Sequence, residues 1–411
     1  TGGVISDWVD PSPGNVYRTH IFTSTGALDI TALSGTYPAA IDFLVVAGGG
    51  GGGGGENGCG GGGGAGGYRT SMPEGPGGPS PSVESQVTVS TGTYTVTIGG
   101  GGQAGGRSSR SGLAGSDSNI AFPSPIPATG GGGGAYSSSD AASSGGSGGG
   151  GQMSATTGAS GTANQGFTGG DGLPYTNNIY LGGGGGGAGG LGGNGVYPGP
   201  PHPDNAQSGV GGVGKLTTIA GPTTISAIGF PGSGPVSIGW LAGGGGAGVG
   251  NEPPAPSDAG KGGGGGGGPH AASYAGAGEG TQYVSDGSVP GRTDPGAPFT
   301  KTAKTNSGSG GGGGGFSRAQ YVGNATRHEG GAGASGIVAV RYQIGTLAPV
   351  AKATGGAISL YNSKWIHTFV HSGTFATGPR WTSPTVEILQ VGGGGGGGQH
   401  NGAGGGAGGY V

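Results

Sequence analysis

Apolar helix formers are scarce in this chain of 411 residues, which has two Met, nine Phe and four Trp. No stretch repeats apolar residues at a helical spacing, so α-helices are not expected. Charge is just as thin: 15 Lys and Arg against 18 Asp and Glu amount to 8 % of the residues and a net charge of −3. The basic residues stand singly, without the clustered face that neutralises phosphates, so no nucleic-acid partner is expected. No apolar run approaches the roughly 18 residues that would cross a bilayer, and membrane insertion is not expected either. Low charge has a second effect, because it withholds the self-repulsion that keeps a disordered chain open. The one cysteine, Cys59, lies inside a glycine tract and has no partner for an internal disulfide. The opening Thr1-Gly2-Gly3 leads into no charged-then-apolar leader, so no secretion signal is expected.

What the chain has instead is glycine, 121 residues of it, about four times the usual share. The glycines form blocks and lack the every-third-residue rhythm of collagen. Ten tracts stand out, at 48–55, 60–67, 99–106, 130–134, 145–151, 182–195, 243–250, 260–268, 308–315 and 330–336. Between them lie segments with β-type alternation or continuous branched residues: 17–23, 42–46, 86–90, 94–98, 216–219, 235–241 and 337–343.

A long repeat is also visible. His20, Phe22 and Gly26 recur as His367, Phe369 and Gly373, Ile41-Asp42-Phe43-Leu44 recurs as Val386-Glu387-Ile388-Leu389, and Ala65-Gly66-Gly67-Tyr68 recurs as Ala407-Gly408-Gly409-Tyr410. This divides the chain into an N-terminal linker at 1–16, a glycine-rich module at 17–343, a linker at 344–362 and the start of a second, incomplete module at 363–411.

A lone polyglycine segment has nothing to bury, and fixing each Gly costs about 0.5–1 kcal/mol more than fixing Ala. Its amides and carbonyls must find partners on neighbours. Extended threefold helices packed side by side supply them, at a net gain of about 1 kcal/mol per hydrogen bond. Close packing of this kind needs backbones without Cβ atoms, which explains solid glycine blocks. The expected fold class is therefore all-β or irregular: a packed polyglycine II bundle of about ten tracts with β-sandwich-like strands at one end. If the tracts alternate in direction, an even number brings 42–46 and 337–343 to the same end, where they can pair. The opposite end then carries the connections 56–59, 107–129, 152–181, 251–259 and 316–329 as surface loops with little strand character.

Dense glycine mimics many signatures. Gly145-Gly146-Ser147-Gly148-Gly149 has the spacing of a nucleophile elbow without its strand-turn-helix context. The segment 209–215 fits a phosphate loop until Leu216, which stands where a Ser or Thr must be. Gly192-Gly193-Asn194-Gly195 begins like a calcium-binding repeat but lacks the aspartate. His367 and His371 share a strand face, about 13 Å apart. Asp42 and Glu387 read as acids on the wet face of an edge strand. No acid–base constellation, cofactor site or metal site emerges, so an enzyme is not expected. More informative are Tyr175, Tyr180 and Tyr321, which fall at the free end together with Arg107, Arg110, Asp171 and His328. Tyr and Arg suit recognition surfaces because they give broad contact area and directional bonds. These seven are the candidate receptor-binding residues, set against the plainer role of rings that cap the glycine passes.

The segments Ile41-Asp42-Phe43-Leu44-Val45-Val46-Ala47 running into polyglycine, Ala65-Gly66-Gly67-Tyr68-Arg69, and Gly333-Ala334-Ser335-Gly336-Ile337-Val338-Ala339-Val340-Arg341-Tyr342 carry a family resemblance. They resemble the glycine-rich domain of bacteriophage tail-fibre and appendage proteins. The middle of the chain is similar in kind to the glycine-rich receptor-binding adhesins of T-even-like phages. The resemblance implies a virion location outside the cell, other fibre or tail proteins as partners, a host-cell surface glycan or outer-membrane protein as the receptor, and a homotrimer as one form of assembly. It leaves open a purely structural filament subunit, and the threefold helices alone would also suit an ice-binding protein.

Overall fold

The computed structural model describes residues 1–9, 15–55, 58–106, 111–197, 206–251, 265–266, 274–281, 302–318, 325–345, 353–394 and 406–411, except 76, 80–82, 137–139, 154–156, 177–178, 223–225, 233–237, 362–363, 378–380 and 382–384. Hydrogen bonding of the glycine tracts sets the architecture. Along 47–55, the N–H groups of Ala47, Gly50 and Gly53 donate to the carbonyls of Gly67, Gly64 and Gly61. Those of Gly48 and Gly51 donate to Ser116 and Leu113, and those of Gly49, Gly52 and Gly55 to Ala334, Gly331 and His328. The same neighbour returns every third residue, whereas a β-ladder returns every second. Carbonyls follow the same rule, since Gly48 and Gly51 accept from Gly131 and Gly134, Gly49 and Gly52 from Gly102 and Gly105, and Gly50 and Gly53 from Gly311 and Gly314. The pass 60–67 is tied in the same manner, its donors going to 308–314, 129–135 and 183–186.

Direction does not alternate tract by tract. Relative to 47–55, the passes 99–105, 129–135, 147–151, 242–248 and 308–315 run parallel, and 60–67, 182–188 and 328–336 run antiparallel. The third, fourth and fifth tracts therefore share one direction, because short segments at 112–116 and 140–144, outside the glycine tracts, make the return journeys. Such segments fit because they lie at the rim, where Leu113, Leu191 and Val213 point into solvent. The tract at 260–268 lies outside the described residues except for Gly265 and Gly266.

At one end of the passes stands a six-stranded sheet in the order β1 (Val4–Val9), β2 (Val16–Phe22), β16 (Ile337–Gly345), β4 (Ala40–Val46) and β5 (Tyr68–Thr70), with β6 (Val87–Thr88) also on β4. As expected, the segment at 42–46 pairs with the one at 337–343: Ile337 faces Val46 and Arg341 faces Asp42 in an antiparallel ladder. A three-stranded sheet, β3 (Gly26–Ile30), β7 (Gly92–Thr97) and β8 (Asn119–Ile120), covers one face. Phe22, Leu28, Phe43, Val45, Val96 and Phe122 fill the space between them. On the other face, Ile21, Leu44, Val46 and Tyr68 meet Ile219, Ile228 and Leu241, beside the short pair β11 (Lys215–Leu216) and β12 (Trp240–Leu241). Two points depart from the sequence reading. The segment 1–16 carries β1, hydrogen-bonded into this sheet, and the connection at 107–129 returns here through β8.

The opposite end is also strand-built. A five-stranded sheet runs β15 (Ala325–Arg327), β14 (Phe316–Arg318), β13 (Val249–Asn251), β10 (Ile179–Leu181) and β9 (Leu173–Thr176). The expectation of free loops at 152–181 and 316–329 is thereby corrected. Each of these strands has only three or four residues, too few to register as periodicity in sequence. Beyond β16 come two hairpin-like pairs, β17 (Ala353–Thr354) with β20 (Ala376–Thr377) and β18 (Ala357–Tyr361) with β19 (Lys364–Thr368). Strands thus occupy part of the expected linker at 344–362, and β18 lies against β1. The all-β or irregular class holds, since every regular element among the described residues is a strand.

Candidate functional site

The end carrying the five-stranded sheet is the candidate site, because it gathers the described members of the sequence-derived set. Asp171 sits where the pass 166–172 reaches this end. Its Oδ1 accepts the Gly158 N–H at 2.8 Å, its own N–H donates to Asn194 Oδ1 at 2.8 Å, and its carbonyl accepts from Gly195. One exposed aspartate therefore ties its own pass to two neighbouring segments, at Gly158 and at Asn194–Gly195, with the Asn194 side chain sharing the work. His328 plays a comparable part through its backbone, its N–H donating to the Gly315 carbonyl and its carbonyl accepting from Gly55.

Tyr175 lies in β9 and Tyr180 in β10. Tyr180 is buried, its ring packed with Cys59 and Met153 below the sheet. That corrects the expectation of an exposed contact residue. The strand alternation accounts for it: Ile179 and Leu181 pack with Val249 and Ala206 in a separate cluster, and Tyr180 faces the other way. Gly250 stands opposite Tyr180 in the ladder, and a Cβ there would press on the Gly58 backbone and the tyrosine ring. Burial pushes the Cys59 thiol up to about 12, which makes it inert as a nucleophile. Arg107, Arg110 and Tyr321 lie outside the described residues.

Sequence reasoning missed the polar cluster at the other end. Arg18 holds Asp7 with two bonds, Nε to Oδ1 at 2.8 Å and Nη2 to Oδ2 at 2.7 Å. Arg341 donates to Asp42 Oδ2, and its guanidinium lies 4.4 Å from the Tyr17 ring centre and 5.7 Å from that of Trp8. Asp42 also accepts from Ser71 and from Gln86 Nε2. It is a buried acid on a strand paired on both sides, in contrast to the wet edge expected for it. His20 is buried between the Gly2 carbonyl, 2.6 Å from Nδ1, and the Tyr342 hydroxyl, 3.0 Å from Nε2. The carbonyl fixes the proton on Nδ1, leaving Nε2 to accept from the tyrosine. Burial lowers the pKa of His20 and raises that of Tyr342. A signal for this cluster exists in sequence only after the strand register is known, since Asp7 and Arg18, or Asp42 and Arg341, are cross-strand partners.

Near the same end, an apolar cavity of about 270 Å³ opens between Val4, Ile21, Ile228, Ile337, Ala357 and His371. No group of three or more His, Cys, Asp or Glu converges among the described residues.

A family model described as a glycine-rich domain matches residues 23–282, more than half of the chain. The chain belongs to this glycine-rich domain family. No curated protein matches it. The family match takes in β3 to β13 and most of the lateral hydrogen-bond network, while β1, β2, β16 and the second copy of the repeat fall outside it. Among the described residues, the candidate site offers polar side-chain contacts from Asp171 and Asn194 and backbone bonds at His328.

Proposed function

We propose that the chain is a non-enzymatic fibre module of a bacteriophage tail fibre or appendage, in which polyglycine II helices form a rigid prism and the end with the five-stranded sheet meets a host-surface glycan or outer-membrane protein. The observation that carries the scaffold part is the threefold return of lateral hydrogen bonds: each pass of 47–55 and 60–67 meets the same neighbour every third residue, the repeat of a polyproline II-type helix. The resemblance of the segments at 41–47, 65–69 and 333–342 supports the fibre part. Immunogold electron microscopy with an antibody to this chain tests it. Labelled fibres on phage particles are the expected outcome, and labelling of cell-borne structures without any particle would overturn it.

The second reading, a structural filament subunit that binds nothing, is favoured by Tyr180 and Asp171, since one is buried and the other is engaged in tying passes together. Exchange of 152–157 and 196–208 for unrelated loops separates the two readings. Altered host adsorption with normal assembly supports recognition, and unchanged adsorption supports the filament.

A further inference from the structure

A histidine closes the entry to the six-stranded sheet. The segment ahead of β1 runs through Gly2 and Gly3, both left-handed at φ of 110° and 64°, and a Cβ on Gly2 would collide with the Ala27 carbonyl. This shape turns the Gly2 carbonyl onto His20 Nδ1, 2.6 Å away. The second copy repeats the arrangement: Gly355 and Gly356 have φ of 103° and 65°, and His367 Nδ1 lies 2.7 Å from the Gly355 carbonyl. The bond from histidine to a left-handed glycine pair therefore belongs to the module and is no accident of one turn.

Around His20 the hydrogen bonds run in one direction. Arg18 on β2 donates two to Asp7 on β1 and also reaches the Tyr342 hydroxyl on β16. Tyr342 donates to His20 Nε2 across 3.0 Å, its ring stacked on the imidazole with centres 5.7 Å apart, and His20 Nδ1 donates to Gly2. The histidine is 1 % exposed, and burial favours its neutral form. A second proton, on Nε2, would meet a hydroxyl that already donates there and would set a cation beside Arg18. The countercharge in this network, Asp7, has both oxygens taken by Arg18. From β3, Asp29 is occupied with Thr1, whose Oγ1 donates to it at 3.3 Å, and β18, which lies against β1, has no charged residue.

The strand that this network holds is the one with the fewest ties. Among the described residues β1 is bonded to β2 alone, whereas a pass such as 47–55 is bonded on several sides. We propose that His20 is a proton-operated latch: neutral, it locks the entry turn 1–3 and β1 onto the sheet, and protonated, it lets 1–9 detach while the glycine passes stay closed.

Hydrogen exchange of the full chain at pH 7.5 and pH 5, read by mass spectrometry and corrected for the intrinsic pH dependence of exchange, tests the latch. The amides of 4–9 are expected to exchange at least tenfold faster at pH 5, with those of 47–67 unchanged. In His20→Asn, whose amide keeps a donor near the Nδ1 position and does not titrate, exchange at 4–9 should be the same at both pH values. An NMR titration of His20 in the parent chain needs no variant, and its midpoint should coincide with that of opening at 4–9. Unchanged protection at 4–9, equal loss across 47–67, pH-dependent opening retained in His20→Asn, or a His20 midpoint that differs from that of opening would overturn the proposal.

Discussion

Gly62 and Gly100 are the same amino acid under opposite constraints. A Cβ built on Gly62 runs into the Gly245 carbonyl, whereas one on Gly100 meets nothing within 4 Å. Gly62→Ala is expected to destabilise the chain by about 2 kcal/mol or more, because a fixed backbone must move. Gly100→Ala should be neutral or stabilising by up to about 1 kcal/mol, through the entropy of the unfolded chain. Urea denaturation midpoints read both. His20 sets a pH dependence. Burial holds its pKa below the usual value of 6.5, with further lowering by the charge of Arg18, against a raising hydrogen bond to the Gly2 carbonyl and the charge of Asp7. A lowered folded-state pKa means stability that is full above about pH 6.5 and is lost as the pH falls through the folded value. Melting temperature should therefore drop on acidification from pH 7.5 to pH 5, and His20→Gln should flatten that drop.

Strands and passes are held by different means. In the sheet at β16, the Arg341–Asp42 pair has side chains only 12 % and 9 % exposed, so removing one partner strands a charge. Arg341→Ala is expected to cost about 3–5 kcal/mol, and Arg341→Met with Asp42→Asn together much less; a double-mutant cycle from chemical denaturation measures the difference. At this scale, the strand pairing of 42–46 with 337–343 was legible, since both are continuous branched runs bounded by glycine. The return passes were not. Gly112-Leu113-Ala114-Gly115-Ser116 reads as an ordinary loop, and only its place at the rim lets Leu113 point outward while its backbone still bonds to 47–55. β1 was hidden for another reason: Val4 to Val9 is interrupted by Ser6 and Asp7, and Asp7 becomes tolerable only once Arg18 stands across from it.

Across the whole molecule, the repeat allows one substitution to be compared in two environments. Leu44 is fully buried beneath β16 and Leu389, its counterpart, is 67 % exposed. Leu44→Lys is expected to unfold the first copy, through an unpaired buried charge of several kcal/mol. Leu389→Lys should leave stability within about 0.5 kcal/mol of the parent, which circular dichroism melts of both variants will show. The candidate recognition end was legible only in part. The sequence placed Asp171, Tyr175, Tyr180 and His328 at one end, and the five-stranded sheet is there. It did not disclose that Tyr180 is buried, because the strand that turns its ring inward has three residues and lies between a neighbour at 173–176 and a partner at 249–251, far away in sequence.

The lateral bonds of 47–55 leave in several directions around the pass, three sets given and three received. A β-sheet is tied within one plane and slides or bends out of it, but a prism tied all round its axis resists deflection alike from every side. For the fibre module proposed above, pulling along the axis loads covalent backbone, which makes the proposed prism a short strut whose tips can change without softening it.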